Sequence, residues 1–514
     1  MKKAAVIHPF LMALFPPLCL YAHNIDYAPF SQILAPIVAI LCFALLFSFL
    51  LKIILKDYAK AGIMTTLTLL LFFSYGHIFY VFYIVFFKVK IGEFVIGRER
   101  YFFPFYILLS IFIIRYFVYV LNKSNRIRII TIFFNIFTSL AVAISSINIA
   151  TFKINSLIII KPDISKQEIY LTNSDVMRTD LSPDIYYIIL DTYPSVDTLR
   201  ELCNYDNSDF TDFLKEKGFI IASKSCSNYA ETFLSLASSL NMEYINYLSK
   251  TGGIKSKDLL ILCRMIQDFK AWRFLKSRGY RYLHFSSGLG PTQQNNSAYI
   301  NYCLHKFPSE FLKALINTTI LSPFFSNFYE AEIRRQQILY SFEKLKEVPD
   351  IKAPTFAFAH LLIPHVPYVF GRNGEAVLQI GVTDSDKKRY LDQIIFVNKK
   401  IKEAINIILE KSSIPPIIVI QSDTGPNLSA NVEYSDEFAK ERLTIFNAYY
   451  LPNGGCKLIY DTITPVNSFR LIFNYYFNAK YNLLEDKSYF STYRCPYKFI
   501  AVPADKLDYN VSNK

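Results

Sequence analysis

The chain has 514 residues, of which 52% are hydrophobic, 16% are aromatic and only 19% are charged. This composition excludes a disordered chain, a coiled coil and a collagen-like protein, and it argues against a wholly soluble protein. Of the net charge of +13, most lies near the N-terminus, because residues 1–162 contain 15 Lys and Arg against 4 Asp and Glu, while the remainder contains 40 against 38. A basic excess in the most apolar third is typical of membrane loops, which excludes nucleic acid as the expected partner.

Apolar segments near the N-terminus have the length of membrane spans, since about 20 apolar residues cross about 30 Å of hydrocarbon. Five segments qualify or nearly qualify: 4–21, 31–51, 61–87, 101–120 and 129–150. The first also has features of a signal peptide, but Leu20 stands where a small residue should precede a cut after Ala22. We therefore predict an uncleaved first helix and a bundle of about five transmembrane helices over residues 1–152.

The short loops between these spans indicate an orientation. With the N-terminus inside, eight Lys and Arg lie on the inner side and four on the outer side, which agrees with the positive-inside rule. The expected location is a bacterial inner membrane, with everything after about residue 152 in the periplasm or outside the cell. Six cysteines in that outer part permit disulfides, but their spacing selects no pairing.

The outer part begins with a predicted linker, 153–182, and continues as a predicted domain, 183–505, before a C-terminal tail, 506–514. Continuous apolar runs predict strands that are buried on both faces, at 185–190, 355–363 and 416–420. Helical patterns lie between or beside them, at 208–217, 257–278, 329–347 and 387–411. The alternation predicts a layered α/β domain with a largely parallel central sheet.

Metal-type side chains follow three of the predicted strands. Asp191, Asp423 and His365 each come just after a strand, where ligands bind in open α/β sheets. The alternative is that an Asp after a strand serves only as a turn or cap residue. A fourth candidate, Thr232, falls in the first turn of a predicted helix, where backbone N–H groups favour an alkoxide or a phosphate. Here too the alternative is a simple helix cap, made by Ser227 or Thr232.

Five stretches of the outer domain together resemble the alkaline phosphatase/sulfatase superfamily, in the membrane-anchored branch that includes lipoteichoic acid synthases and phosphoethanolamine transferases. The stretches follow the family order over roughly 183–500 and read PDIYYIILD at 183–191, SNYAET at 227–232, HLLIPHVPY at 360–368, QSDTGP at 421–426 and PVNSFR at 465–470. The resemblance rests on the five stretches occurring together and in this order.

The resemblance implies a role for each matching residue. Asp191 and Asp423 correspond to metal-binding carboxylates, and Thr232 corresponds to a nucleophile that also binds the metal. His365 corresponds to a substrate-side histidine with a catalytic role. Weaker matches are His360 and Arg442, which are candidates for substrate binding but equally for a structural histidine and a surface ion pair.

One departure from the family pattern concerns the metal site. Relatives have Asp-His-Gly where this chain has Asp423-Thr424-Gly425, and a threonine hydroxyl is a poor substitute for an imidazole ligand. Either another group completes the site, or the metal binds weakly, or the protein is not an enzyme. The Cys/Ser-x-Pro-x-Arg motif of true sulfatases is absent around Thr232, which favours phosphoryl chemistry over sulfate ester hydrolysis.

The functional hypothesis is therefore a membrane-bound sulfatase-like enzyme that uses a divalent metal ion, Mn²⁺, Mg²⁺ or Zn²⁺. It would transfer a phospho-group, through a phospho-Thr232 intermediate, from a membrane lipid head group to an envelope glycan or lipid. The first alternative is a metal-dependent hydrolase of phosphate or sulfate esters. The second is a catalytically silent protein that binds an envelope polymer.

Overall fold

The computed structural model of the chain describes residues 4–25, 29–86, 90–91, 94–95, 99–124, 126–158, 182–251, 253–254, 256–305, 308–325, 330–377, 386–429, 431 and 433–507. The chain divides into two compact units. The first contains Met1–Ile160 together with Pro308–Glu330, and the second contains Lys161–Phe307 and Ala331–Lys514.

The helices and strands are numbered in chain order. The described helices are α1 (His8–His23), α2 (Ser31–Leu55), α3 (Tyr58–Phe86), α4 (Glu99–Lys123), α5 (Ile127–Ile158), α6 (Val196–Cys203), α7 (Ser208–Glu216), α8 (Thr232–Asn241), α9 (Leu248–Thr251), α10 (Leu260–Gln267), α11 (Lys270–Ser277), α12 (Glu310–Asn317), α13 (Ser322–Phe324), α14 (Ala331–Leu345), α15 (Lys387–Lys411), α16 (Asp436–Leu443) and α17 (Pro465–Phe477). The described strands are β1 (Lys90–Ile91), β2 (Phe94–Val95), β3 (Ile185–Leu190), β4 (Ile220–Ile221), β5 (Arg281–Phe285), β6 (Ile300–Tyr302), β7 (Thr355–Leu361), β8 (Ile417–Gln421), β9 (Asn447–Tyr450), β10 (Ser488–Thr492) and β11 (Cys495–Val502).

The first unit is built from apolar helices. Four of the described helices contain stretches long and apolar enough to cross a membrane, namely Ser31–Leu55, Tyr58–Tyr83, Tyr101–Lys123 and Ile127–Phe152. They coincide with four of the five predicted spans. The first predicted span is also a helix, α1, but its 16 residues extend only about 24 Å, which is less than the hydrocarbon thickness. Helix α1 buries Met12, Ala13 and Tyr21 within the bundle.

The second unit is a layered α/β domain around a seven-stranded sheet of order β4-β9-β8-β3-β7-β5-β6. Strands β8, β3, β7, β5 and β6 are parallel, whereas β9 pairs antiparallel with both β8 and β4. The predicted strands are confirmed as β3, β7 and β8, in the centre of the sheet. Every residue of these three strands is buried, which explains why their sequences lack an alternating pattern.

Helices cover both faces of this sheet. Alternate residues of β3 face opposite sides: Tyr186, Ile188 and Leu190 belong to the core shared with α14 and α15, while Tyr187 packs on Phe469 of α17, with ring centroids 4.9 Å apart. The predicted helices at 208–217, 329–347 and 387–411 are confirmed as α7, α14 and α15.

The helix predicted at 257–278 is instead two helices, α10 and α11, separated at Asp268 and Phe269. Phe269 has an extended backbone there and is fully buried, with its ring 5.8 Å from Tyr282. Burying this ring against the sheet ends one helix and begins the next, which a continuous helical pattern does not reveal.

The predicted domain boundaries are only partly described. The first residues of the predicted linker, 153–158, continue helix α5, whereas 159–181 lie outside the described residues, as does the end of the predicted tail, 508–514. All eight cysteines are described, and all are free thiols.

Candidate metal centre and active site

Three metal-type side chains meet at the carboxyl end of the central sheet. Asp191 follows β3, His360 lies near the end of β7, and Asp423 follows β8. These strands are neighbours in the sheet, with β3 between β7 and β8. One possible ligand atom from each of the three residues lies within 4.8 Å of the other two, and all three residues are buried. The convergence expected for the two aspartates is therefore present, and His360 joins it.

Several polar atoms at this site have no hydrogen-bond partner among the described residues. They are Asp191 Oδ1, Asp423 Oδ2, His360 Nε2 and Thr424 Oγ1, and all are buried. Burial of an unpaired carboxylate oxygen or imidazole nitrogen is unfavourable unless another group compensates it. Two carboxylates and one imidazole form a donor set that fits a divalent metal ion.

The two aspartates influence each other's ionisation. Burial and, to a smaller extent, the nearby charge of Asp191 together raise the pKa of Asp423 to about 6, against opposing effects that include a hydrogen bond from Thr232. Burial also acts to raise the pKa of Asp191, but the neighbouring His365 and His360 outweigh it, so that this pKa is lowered. Asp191 thus carries the charge while Asp423 resists ionisation beside it, and a bound cation would stabilise both as carboxylates.

A tight turn after β3 fixes the relative position of the aspartates. Thr192 has a positive φ of 65°, which is unusual for a β-branched residue. This conformation directs its backbone N–H at Asp423 Oδ1, 3.3 Å away. The next backbone N–H, of Tyr193, donates to Ser422 Oγ at 2.9 Å, and the Ser422 hydroxyl donates to Leu190 O at 2.7 Å. Backbone strain of this kind is typical of functional sites.

Thr232, for which the sequence predicts a nucleophilic role, lies beside Asp423. It is the first residue of α8, as the sequence predicted, and its side chain donates a hydrogen bond to Asp423. The same helix is tied to the Asp423 loop by Ser235, whose hydroxyl donates to Asp423 O at 2.7 Å. The half-buried Thr232 hydroxyl therefore lies beside the carboxylates and at a helix N-terminus, where negative charge is favoured.

The orientation of the His360 ring is set from its other side. His360 Nδ1 lies 2.9 Å from Thr292 Oγ1. Thr292 Oγ1 is also 3.2 Å from Leu289 O, to which it donates, and 2.7 Å from Ser287 Oγ. When the Thr292 hydroxyl donates its proton to Leu289 O, the hydroxyl oxygen of Thr292 accepts a hydrogen bond from the Nδ1–H group of His360. The free Nε2 lone pair then faces Asp191, whose Oδ2 is 3.4 Å away.

The two remaining predicted residues lie at the edge of the site. His365 is half-buried, its Nδ1–H donates to Val366 O, and it is close enough to Asp191 to lower the pKa of that carboxyl group. The guanidinium group of Arg442 donates to Ala230 O at 2.6 Å and also to Gly425 O. Arg442 thus joins the loop before Thr232 to the loop after Asp423, in addition to any role towards an anion.

Three functional candidates were missed by the sequence interpretation: Thr192, Thr292 and Glu231. Glu231 directly precedes Thr232, and burial raises the pKa of its carboxyl group, while Arg442 has the opposite effect. Its position next to the predicted nucleophile was a usable signal. Thr192 and Thr292 gave none, because their roles depend on a backbone angle and on a side-chain contact with a distant strand.

Comparison with known proteins gives similar solved structures only. No protein-family model and no curated protein matches the chain. The C-terminal periplasmic domain of the phosphoethanolamine transferase EptC from Campylobacter jejuni is 16% identical, with a TM-score of 0.39 over 59% of this chain and 92% of that domain. The corresponding EptC domain from Escherichia coli is 11% identical, with a TM-score of 0.41 over 64% and 94%.

A third similar structure is the phosphonate monoester hydrolase of Agrobacterium radiobacter, which is 10% identical with a TM-score of 0.40 over 60% of this chain and 80% of that one. The E. coli EptC domain has also been solved in complex with zinc.

Proposed function

We propose that this chain is a membrane-anchored, metal-dependent phosphotransferase related to the alkaline phosphatase/sulfatase superfamily. The observation that carries the proposal is the buried group of Asp191, His360 and Asp423, with an unpaired polar atom on each, beside the Thr232 hydroxyl at a helix N-terminus. The ordered motifs in the sequence support the same assignment.

The metal would be held by Asp191, Asp423 and the Thr232 hydroxyl, with His360 as a further ligand. A divalent ion bound there lowers the pKa of the threonine hydroxyl and stabilises charge that develops on a phosphoryl oxygen. The mixed oxygen and nitrogen donor set is compatible with Zn²⁺ or Mn²⁺, and less so with Mg²⁺, which favours oxygen ligands.

In the first step, Thr232 Oγ attacks the phosphorus atom of the donor lipid and passes its proton to the Asp423 carboxylate, to which it is hydrogen-bonded. The bond from phosphorus to the lipid oxygen breaks, and the departing oxygen takes a proton from protonated His365 at the edge of the site. In the second step, an acceptor hydroxyl attacks phospho-Thr232 and gives its proton to His365. The bond from phosphorus to Thr232 Oγ breaks, and Asp423 returns its proton to that oxygen, which restores the free threonine.

The donor and acceptor follow from the membrane anchor. Four helices that are able to span a membrane keep the enzyme where lipid head groups are available. With the N-terminus inside, the α/β domain would face the periplasm, where envelope glycans and lipids provide acceptor hydroxyls. Water as the acceptor would make the same site a phosphate ester hydrolase.

The proposal is tested by looking for the covalent intermediate. The full-length protein is incubated with lipid vesicles that contain head-group phosphodiesters, quenched in acid and digested, and the peptide with Thr232 is weighed by mass spectrometry. We expect the mass of a phospho-group on wild type, reduced on Thr232→Ser and absent on Thr232→Ala. Release of the group to water without an acceptor would favour the hydrolase. No adduct and no release in the metal-loaded wild type would contradict the proposal and favour a silent binding protein.

A further inference from the structure

One segment of the chain leaves the α/β unit and joins the membrane helices. Pro308–Glu330 lies between β6 and α14 in the sequence, yet it belongs to the same compact unit as α1–α5. It contains α12 and the short helix α13. We call the described part, 308–325, the inserted segment.

The inserted segment is hydrogen-bonded to the backbone of a membrane helix. The N–H of Gly76 in α3 donates to Thr318 O at 3.0 Å, and the N–H of Ile320 donates to Phe72 O at 3.1 Å. Gly76 N–H and Phe72 O are the two groups that pair with each other in a regular α-helix. The inserted segment therefore bonds to backbone groups that would otherwise pair within α3. Its contact with this helix is not limited to side chains.

This close approach depends on glycine. A Cβ atom at position 76 would lie 2.1 Å from Asn317 O and 2.8 Å from the Cα atom of Thr318. No side chain fits there without displacement of the inserted segment. Small residues permit such close backbone contacts between membrane elements.

The contact lies within the apolar part of α3. The membrane-competent stretch of this helix is Tyr58–Tyr83, of 26 residues, or about 39 Å, against about 30 Å of hydrocarbon. When the stretch is centred in the layer, Gly76 lies roughly 7 Å inside the boundary nearer to Tyr83. Unpaired backbone groups are not stable at that depth, and the shared hydrogen bonds remove this problem for residues 318–320.

The inserted segment presents apolar side chains both to the bundle and to its surroundings, where Asn317 is exposed as well. Phe311 is buried and its ring lies 6.4 Å from that of Tyr21. Phe324 packs edge-on against Phe103 of α4, with ring centroids 5.4 Å apart, and remains 58% exposed. Leu321 is 50% exposed.

Helix α4 of the same unit also has an exposed apolar surface, which includes Phe105, Leu108 and Phe112. The one cation of α12, Lys313, is turned inward and is paired with Glu310 at 3.1 Å and with Glu330 at 3.5 Å. The side chain of Glu310, at the start of α12, is 42% exposed. The exposed apolar side chains of Leu321 and Phe324, in a segment joined to membrane helices, fit lipid acyl chains.

We propose that residues 310–325 are a re-entrant membrane segment, which enters one leaflet beside α3 and α4 and places Leu321 and Phe324 against lipid acyl chains. This inference concerns the membrane unit and does not depend on the proposed catalytic activity.

The test uses tryptophan fluorescence in the full-length protein, because the chain has one Trp, the buried Trp272. Phe324→Trp and Tyr299→Trp are made in a Trp272→Phe background and reconstituted in phosphatidylcholine vesicles with brominated acyl chains. Tyr299 is the control because it lies in the α/β unit and is 61% exposed. We expect the bromolipids to quench Trp at 324 at least twofold and acrylamide to quench it little, with the reverse at 299.

Quenching of Trp at 324 by acrylamide to the same extent as at 299, without an effect of bromolipids, would overturn the proposal. Protection from both quenchers would also overturn it, because a protein surface and not lipid would then cover the position. Where the Trp272→Phe background fails to fold, the same variants are read against the wild-type protein, whose Trp272 signal is subtracted.

Discussion

The imidazole Nε2 atom of His360 lies 3.4 Å from Oδ2 of Asp191, at the ends of two adjacent parallel strands. Both side chains are buried, and His360 Nε2 is among the buried atoms without a hydrogen-bond partner in the described part of the chain. The resemblance to sulfatase-like enzymes predicted an imidazole directly after Asp423, where this chain has Thr424. The structure places an imidazole at the same carboxylates from the other side of β3.

If His360 replaces the missing ligand, then moving the imidazole from position 360 to position 424 should preserve metal binding. We expect wild type to hold about one divalent ion per chain and His360→Ala to lose most of it. The double variant His360→Ala/Thr424→His should recover metal, because the second imidazole enters the volume that the first one left. The measurement is elemental analysis of purified full-length protein.

The matched control for this exchange is Thr424→His alone. Thr424 is fully buried, and a Cβ on the adjacent Gly425 would lie 1.9 Å from Glu441 O, so the backbone there has no room to move. A second imidazole should therefore overpack the site and lower stability by about 1–3 kcal/mol without a gain in metal. Full metal content in His360→Ala would show that His360 is not a ligand.

The second prediction concerns Thr292, which accepts the hydrogen bond from His360 Nδ1 at 2.9 Å. Hydrogen bonds to the distal nitrogen of a metal-bound histidine hold the ring and its tautomer, and their loss reduces metal affinity about 10–100-fold. We expect this reduction in Thr292→Val, which keeps the shape of the side chain, and near-normal affinity in Thr292→Ser. Competition with a chelator of known affinity measures the effect.

A purely structural role of Thr292 would give a different result in the metal-free protein. If Thr292→Val merely destabilised the loop, the metal-free protein would unfold at a lower temperature, and Thr292→Ser would share part of that loss. Equal metal affinity in Thr292→Val and wild type would show that Thr292 does not contribute to metal binding.

The sequence was sufficient for the parts of this site that depend on local patterns. Runs of apolar residues identified β3, β7 and β8, and the rule that ligands bind beyond parallel strands then brought Asp191 and Asp423 together. It was not sufficient for His360, because a histidine inside a fully buried strand is also compatible with a structural role, and only the contact with Thr292 fixes its direction. The inserted segment was missed for a similar reason, since the apolar face of α12 has the same pattern as that of a helix packed on the sheet.

The third prediction concerns His284, which lies close to this site on β5 but does not face the carboxylates. His284 Nε2–H donates to Thr292 O at 2.9 Å, and Nδ1 accepts from the hydroxyl group of Tyr282 at 3.0 Å. The ring is therefore neutral, with both nitrogens satisfied. Burial lowers the pKa of His284 from the usual 6.5 to about 4.

The sign of the pH effect follows from proton binding. Between pH 6.5 and pH 4 the unfolded chain binds a proton at His284 that the folded chain does not, so the free energy of unfolding falls as the pH falls through this range. A pKa difference of this size between the unfolded and folded states corresponds to about 3 kcal/mol in the free energy of unfolding. His284→Gln keeps a donor and an acceptor but does not titrate, so its free energy of unfolding should fall by about 3 kcal/mol less than that of wild type.

Trp272 provides the signal for this measurement, since its ring lies 5.1 Å from that of Tyr282. Denaturant unfolding of the full-length protein in detergent is followed by fluorescence at several pH values, after removal of metal by a chelator, so that loss of metal adds no pH dependence of its own. The difference between wild type and His284→Gln isolates the histidine from the other titrating groups, including Asp423, whose raised pKa acts in the opposite direction. Parallel pH profiles for the two proteins would show that His284 binds protons in the folded state. The hydrogen bonds that lead from Tyr282 through Thr292 to His360 would then not exclude protons from this region.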